Sequence, residues 1–183
     1  SINLHNGLPL NVFYLSALGA VSDAEIGMNS VVFGTDNTAA IQSVLDNAGK
    51  SPITVYWDGK YSVTGLKIYS NTTIIANAGC GAILRNHSNK SILINASQSF
   101  DSAKDSNIVI SGGIWNGNYY NPGIPRGAQS KGDRVNGLVG CFRFYGVDNL
   151  IVRDAILYKP ATYALAAANV THAATLLVGI MEH

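Results

Sequence analysis

The chain has 183 residues, 47% of them hydrophobic and 13% charged, with 19 glycines, 5 prolines and a formal net charge of +1. That length admits one domain with a real core, and the charge content is well below the usual ~25% of soluble chains. No run of basic residues exceeds two and no apolar stretch approaches the ~18 residues of a spanning helix, so neither a nucleic-acid partner nor a membrane partner is expected. Ser1–Leu8 has no basic n-region and no apolar h-region, so it does not read as a signal peptide.

Residues 11 to 20 read as a first strand closed by glycine, and 21 to 34 as a loop of mixed polarity. From Asp36 the period changes. Ile41, Val44, Leu45 and Ala48 fall on one helical stripe, with Asp36 as N-cap and Gly49-Lys50 as the stop, which predicts a helix over 36–48. After Pro52 come short apolar runs separated by Gly, Asn, Asp or Ser: 53–57, 61–64, 66–69, 72–76, 82–84, 91–94, 108–110, 138–145, 150–152 and 163–167. No helices alternate with them, which disfavours a doubly wound sheet.

A weak repeat runs through these segments. Ser70-Asn71-Thr72-Thr73-Ile74 matches Ser106-Asn107-Ile108-Val109-Ile110 and Asp148-Asn149-Leu150-Ile151-Val152, with a weaker copy at Ala168-Asn169-Val170-Thr171-His172. Asn tolerates the left-handed backbone of a sharp bend. The spacings are close to two, two and one turns of a coil of about twenty residues. The residues after each Asn then form inward columns, Thr72, Ile108, Leu150 and Val170, and Ile74, Ile110, Val152 and His172, with His172 breaking its column. An all-β solenoid over 53–172 follows, one of whose open ends the helix blocks. The chain closes on an apolar stretch without a cap, so 1–183 is expected to be one domain continued by further coils or covered by a partner.

These residues resemble the pectin-lyase-like superfamily of right-handed parallel β-helices. Leu18-Gly19-Ala20 followed by Thr35-Asp36-Asn37-Thr38-Ala39-Ala40-Ile41-Gln42 is similar to its entry motif, with Asp23 in the first acidic position and Ala24 to Gly34 inserted. Val55-Tyr56-Trp57-Asp58-Gly59-Lys60-Tyr61 takes the place of its V-x-x-P-x-G-x-Y. Ile110-Ser111-Gly112-Gly113-Ile114-Trp115-Asn116-Gly117-Asn118 and Leu157-Tyr158-Lys159-Pro160-Ala161-Thr162-Tyr163 resemble coils of family 28 glycoside hydrolases, the polygalacturonase group, with Asn116 where that group has Asp. The resemblance implies a right-handed parallel β-helix with one N-terminal capping helix. It also implies a polysaccharide or surface glycan as partner and an extracellular or virion-associated setting.

The group's N-T-D, D-D, G-H-G and R-x-K motifs do not occur after Thr171, so no catalytic residue carries over and the resemblance leaves enzymatic activity open. The same fold in a phage tailspike, a trimeric virion protein that binds or degrades surface glycans, is the competing reading. A non-catalytic structural or carbohydrate-binding role is a third.

Hydrolysis needs two carboxyls about 5 to 9.5 Å apart. Most of the eleven acidic residues have turn or cap settings, which leaves Asp133, beside Arg134 in a polar loop, and Asp154. His87 and His172 lack an identifiable partner and read as structural. Trp115, Tyr119 and Tyr120 follow a glycine bend and are candidates to stack on sugar rings, with Asp133 and Arg134 as polar contacts. No spacing suggests a metal or cofactor. Cys80 and Cys141 read as buried free thiols, and the five Asn-x-Ser/Thr sequons, at Asn71, Asn86, Asn89, Asn95 and Asn169, as products of an Asn-rich composition.

Overall fold

The computed structural model describes residues 4–5, 8–9, 11–121, 139–176 and 179–181. Strands β1 (Leu4–His5) and β2 (Leu8–Pro9) form a short antiparallel pair. β3 (Val12–Tyr14) is shorter than the expected first strand, because Leu15–Leu18 coils into a 3-10 turn that Gly19 ends at φ 92°. The expected loop that follows contains a small antiparallel hairpin, β4 (Glu25–Ile26) with β5 (Val32–Phe33).

Helix α1 (Thr38–Leu45) runs on into a 3-10 turn, Asp46–Gly49, so the predicted helix is present with a tightened last turn. The expected N-cap, Asp36, stands one residue before the N-cap position and supports the helix start from there. Its Oδ1 accepts from Thr38 N at 3.0 Å and Thr38 Oγ1 at 2.6 Å. The residue in the N-cap position is Asn37, whose buried amide is used elsewhere, bonding Val21 N at 2.8 Å and Val21 O at 3.0 Å.

The remaining strands wind into a three-faced solenoid. β6 (Ile53–Trp57), β7 (Lys60–Val63) and β8 (Leu66–Ile68) make one coil, and β9 (Thr72–Leu84) with β10 (Leu93–Asn95) the next. β11 (Asp105–Asn116) and the first part of β12 (Phe142–Arg153) make the third. The rest of β12, β13 (Ile156–Tyr158) and β14 (Leu165–Thr171) make the fourth, and β15 (Ala174–Leu176) and β16 (Gly179–Met181) follow.

All three faces are parallel and in register. One aligns Val12, Thr54, Thr73, Val109, Ile151 and Ala174. The second aligns Ser62, Ile83, Asn116, Tyr158 and Met181. The third aligns Leu66, Leu93, Phe142 and Leu165. This is a parallel β-helix with one α-helix among its described residues.

Several predicted strands fuse because the chain stays extended around a solenoid corner, although β9 and β11 shift register between Gly112 and Ile114. β9 rounds its corner through Gly81, where an added Cβ would lie 1.9 Å from Ile114 O. β11 does so through Gly112, at 2.4 Å from Ala76 O. Only glycine lets successive coils approach that closely.

The Asn repeat holds for three rungs. Asn71, Asn107 and Asn149 have φ of 63°, 57° and 61°. Asn107 Nδ2 donates to Asn71 Oδ1 at 3.0 Å and Asn149 Nδ2 to Asn107 Oδ1 at 2.9 Å. Their side chains thus form a ladder along the solenoid, and the columns beside it, Thr72–Ile108–Leu150 and Ile74–Ile110–Val152, are buried.

The spacing and the fourth copy need correction. The first two intervals are one coil each, lengthened by loops between faces. Val170 stacks on Val147 rather than Leu150, and that register places His172 over Asn149. His172 is therefore an exposed bend residue at φ 48° and not a member of an inner column.

An open parallel edge has unpaired backbone groups, and α1 closes one of them. Gln42 Oε1 accepts from Lys67 N at 2.9 Å while its Nε2 donates to Lys67 O at 3.1 Å, as a neighbouring strand would. Thr38 Oγ1 accepts from Thr64 N at 2.8 Å. Ile41, Val44 and Leu45 are buried behind these contacts. Replacing Gln42 by Leu, which keeps bulk and removes both bonds, is predicted to lower unfolding stability by about 1–3 kcal/mol in urea titration.

Candidate functional site

The third face presents the cleft that could hold a ligand. Strand alternation turns Leu66, Ile68, Leu93 and Phe142 inward and Lys67, Ile94 and Arg143 outward, and the ladder makes these last three neighbours. Gly65, Leu66, Asn89, Lys90, Ser91 and Val139 form the rest of the lining of a cleft of about 290 Å³. None of these residues is acidic.

Lys67 and Lys90 are exposed, and neither forms an ion pair among the described residues. Arg143 is nearly buried, with its guanidinium 5.7 Å from the centre of the Tyr145 ring. The backbone beneath is fixed by Gln42 on Lys67 and by Gln98 Nε2, which donates to Arg143 O at 3.1 Å. Three cations around one open volume attract anions and repel one another.

Trp115 is not a surface residue. It is fully buried, packed edge-on to Trp57 at 4.9 Å and Phe142 at 5.2 Å, and its Nε1 donates to Gly112 O at 2.9 Å. The Gly112–Gly113 bend rotates the following alternation and turns the indole into the core, where it cannot stack on a sugar. Tyr119 and Tyr120 meet edge to face at 5.3 Å, and Tyr120 is 40% exposed with Lys159 Nζ 5.2 Å over its ring. Asp133 and Arg134 lie outside the described residues.

Asp23, Asp58 and Asp148 serve the scaffold. Asp23 accepts from Thr35 N at 2.9 Å and Thr35 Oγ1 at 2.7 Å, and these bonds lower its pKa. Asp58 holds Ser16, through both its N–H and its hydroxyl, and the Tyr61 hydroxyl at 3.0 Å. Burial, with Asp58 second, pushes the Tyr61 pKa up.

Asp148 accepts from Thr171 Oγ1 at 2.5 Å and lies 2.7 Å from His172 Nδ1, contacts that lower its pKa, with His172 first. Asp154 is an exposed bend residue at φ 54°, and His87 an exposed turn residue at φ 57°. Cys141 is a buried thiol pushed up to about 12 by desolvation, so it stays protonated, whereas Cys80 is only half-buried. Among the described residues no His, Cys, Asp and Glu cluster could hold a metal ion, and no helix is long and apolar enough to cross a membrane.

The sequence reading missed the cleft. Lys67, Lys90 and Arg143 belong to three different coils, and no local motif announces them.

No family model and no curated protein matches the chain. Solved structures do. A protein of Parabacteroides merdae provisionally assigned as a glycosyl hydrolase aligns over 93% of this chain and 74% of its own, at 16% identity and a TM-score of 0.68. The family 28 exopolygalacturonase of Yersinia enterocolitica aligns over 95% of this chain at 16% identity and a TM-score of 0.65. The Streptococcus pneumoniae surface protein and adhesin PfbA aligns over 91% at 17% identity and a TM-score of 0.51. The chain spans 40% of the exopolygalacturonase and 41% of the adhesin. At these identities the likeness establishes the parallel β-helix and not an activity.

The burial of Trp115 has a measurable consequence. Trp115→Ala is predicted to cost about 3–5 kcal/mol of stability, as a large core truncation does, with urea unfolding as the measurement. A stable variant with altered sugar binding would contradict the assignment of this side chain to the core.

Proposed function

We propose that this protein is a polysaccharide-binding β-helix that takes an acidic glycan into the cleft of its third face. The observation that carries this reading is the clustering of Lys67, Lys90 and Arg143 about one open volume whose described lining has no carboxylate. A uronate carboxylate or a sulfate gives Lys67 and Lys90, which form no ion pair among the described residues, a counter-charge through charge-assisted hydrogen bonds. Ile94, half-buried between the cations, offers an apolar contact for a sugar ring. The exposed ring of Tyr120 stands as a second, lesser contact.

The neighbouring structures include proteins named as a glycosyl hydrolase, an exopolygalacturonase and an adhesin, and they support a carbohydrate role at this coarse level. Binding is favoured over hydrolysis because the cleft, as described, lacks the pair of carboxyls that cleavage needs.

Isothermal titration with tetragalacturonate and with the neutral cellotetraose tests the reading. The acidic tetrasaccharide should bind, the neutral one should not, and affinity should fall as salt rises. Lys67→Glu should weaken binding by about tenfold or more, the scale of one lost charged contact. Equal binding of the two sugars, or none of either, would refute it.

A further inference from the structure

Gly65 sits at the turn between β7 and β8 with φ of 129°, a conformation that L side chains rarely adopt. A Cβ placed on it would lie 2.9 Å from Ser91 O, 3.0 Å from Lys90 Cβ and 3.2 Å from Lys90 Cδ. The first of these is a backbone atom, so rotating a side chain cannot relieve the collision. The close approaches at Gly81 and Gly112 are to strands of the next or preceding coil. At Gly65 the neighbour is the segment that forms one wall of the cleft.

That wall is held at this distance from both sides. Leu66 N donates to Ile92 O at 2.8 Å, and Gly140 N donates to Ser91 Oγ at 3.1 Å. The 89–91 segment can therefore close on the start of β8 only because residue 65 has no side chain. Closing it brings Lys90 into the same cleft as Lys67, against their mutual repulsion.

We infer that Gly65 is the positioning residue of the cleft: by omitting a side chain it fixes the wall that carries Lys90 and so sets the cleft's affinity for an acidic sugar. Gly65 touches no ligand itself and acts through Lys90. The inference rests on the reading that the cleft binds an acidic glycan.

A double-variant cycle with tetragalacturonate as the probe tests it. Lys90→Ala and Gly65→Ala should each weaken binding by about tenfold. The double variant should be within about twofold of either single one, because the two act through one group. Gly65→Ala binding like the wild type, or losses that multiply in the double variant, would overturn the inference.

Should Gly65→Ala fail to fold, a charge-conserving swap decides. Asn89→Lys with Lys90→Asn keeps net charge and should bind no better than Lys90→Ala. Wild-type affinity in the swap would show that the placement of Lys90 is immaterial and overturn the inference. Absence of binding by the wild-type protein would instead overturn the functional reading beneath it, so the two failures are distinguishable.

Discussion

Everything in this molecule hangs on coils stacking in parallel register. One strand of each face contributes its backbone ladder to the next, so a change of register by one residue would turn buried columns such as Ile74–Ile110–Val152 to solvent. Stacking also leaves an edge with unpaired groups, and the amphipathic helix meets that need in two ways. Its apolar side fills the space above the first coil, and Gln42 pairs with Lys67 as a strand would. The corners obey the same constraint. Left-handed Asn residues and bare glycines occur where coils come too close, or bend too sharply, for other residues.

Much of this was legible in the sequence because it is local. The helix stripe, Asp36 at its start, the short strands and the left-handed Asn bends are all set by neighbours a few residues away. Register between coils is set by contacts across tens of residues, and there the reading slipped. Asn169 marks a bend, yet it stands level with Gly146 and not with Asn149. The position over Asn149 went to His172, which no Asn pattern could reveal. Trp115 was misplaced for a related reason, since two successive left-handed glycines reset which residues face inward.

The cleft lay beyond sequence reasoning for the same physical cause. Lys67, Ile94 and Arg143 become neighbours only through the ladder, and Lys90 only through a close approach to a glycine. The entry motif, which resembles that of a parallel β-helix superfamily, serves the scaffold. Asp36 and Thr38 shape the helix start, Asn37 binds the preceding segment, and Gln42 closes the edge. Its link to the proposed function is indirect: the backbone that Gln42 clamps is the backbone that presents Lys67 to the cleft.

On the proposed function, an acidic glycan lies on the third face and not on the others. Amide hydrogen exchange with and without saturating tetragalacturonate addresses it directly. Added protection should appear in 65–67 and 89–94 and be absent from 54–56, 73–75 and 109–111 on the first face. Protection on the first face, or no change around the cleft at saturation, would contradict the account.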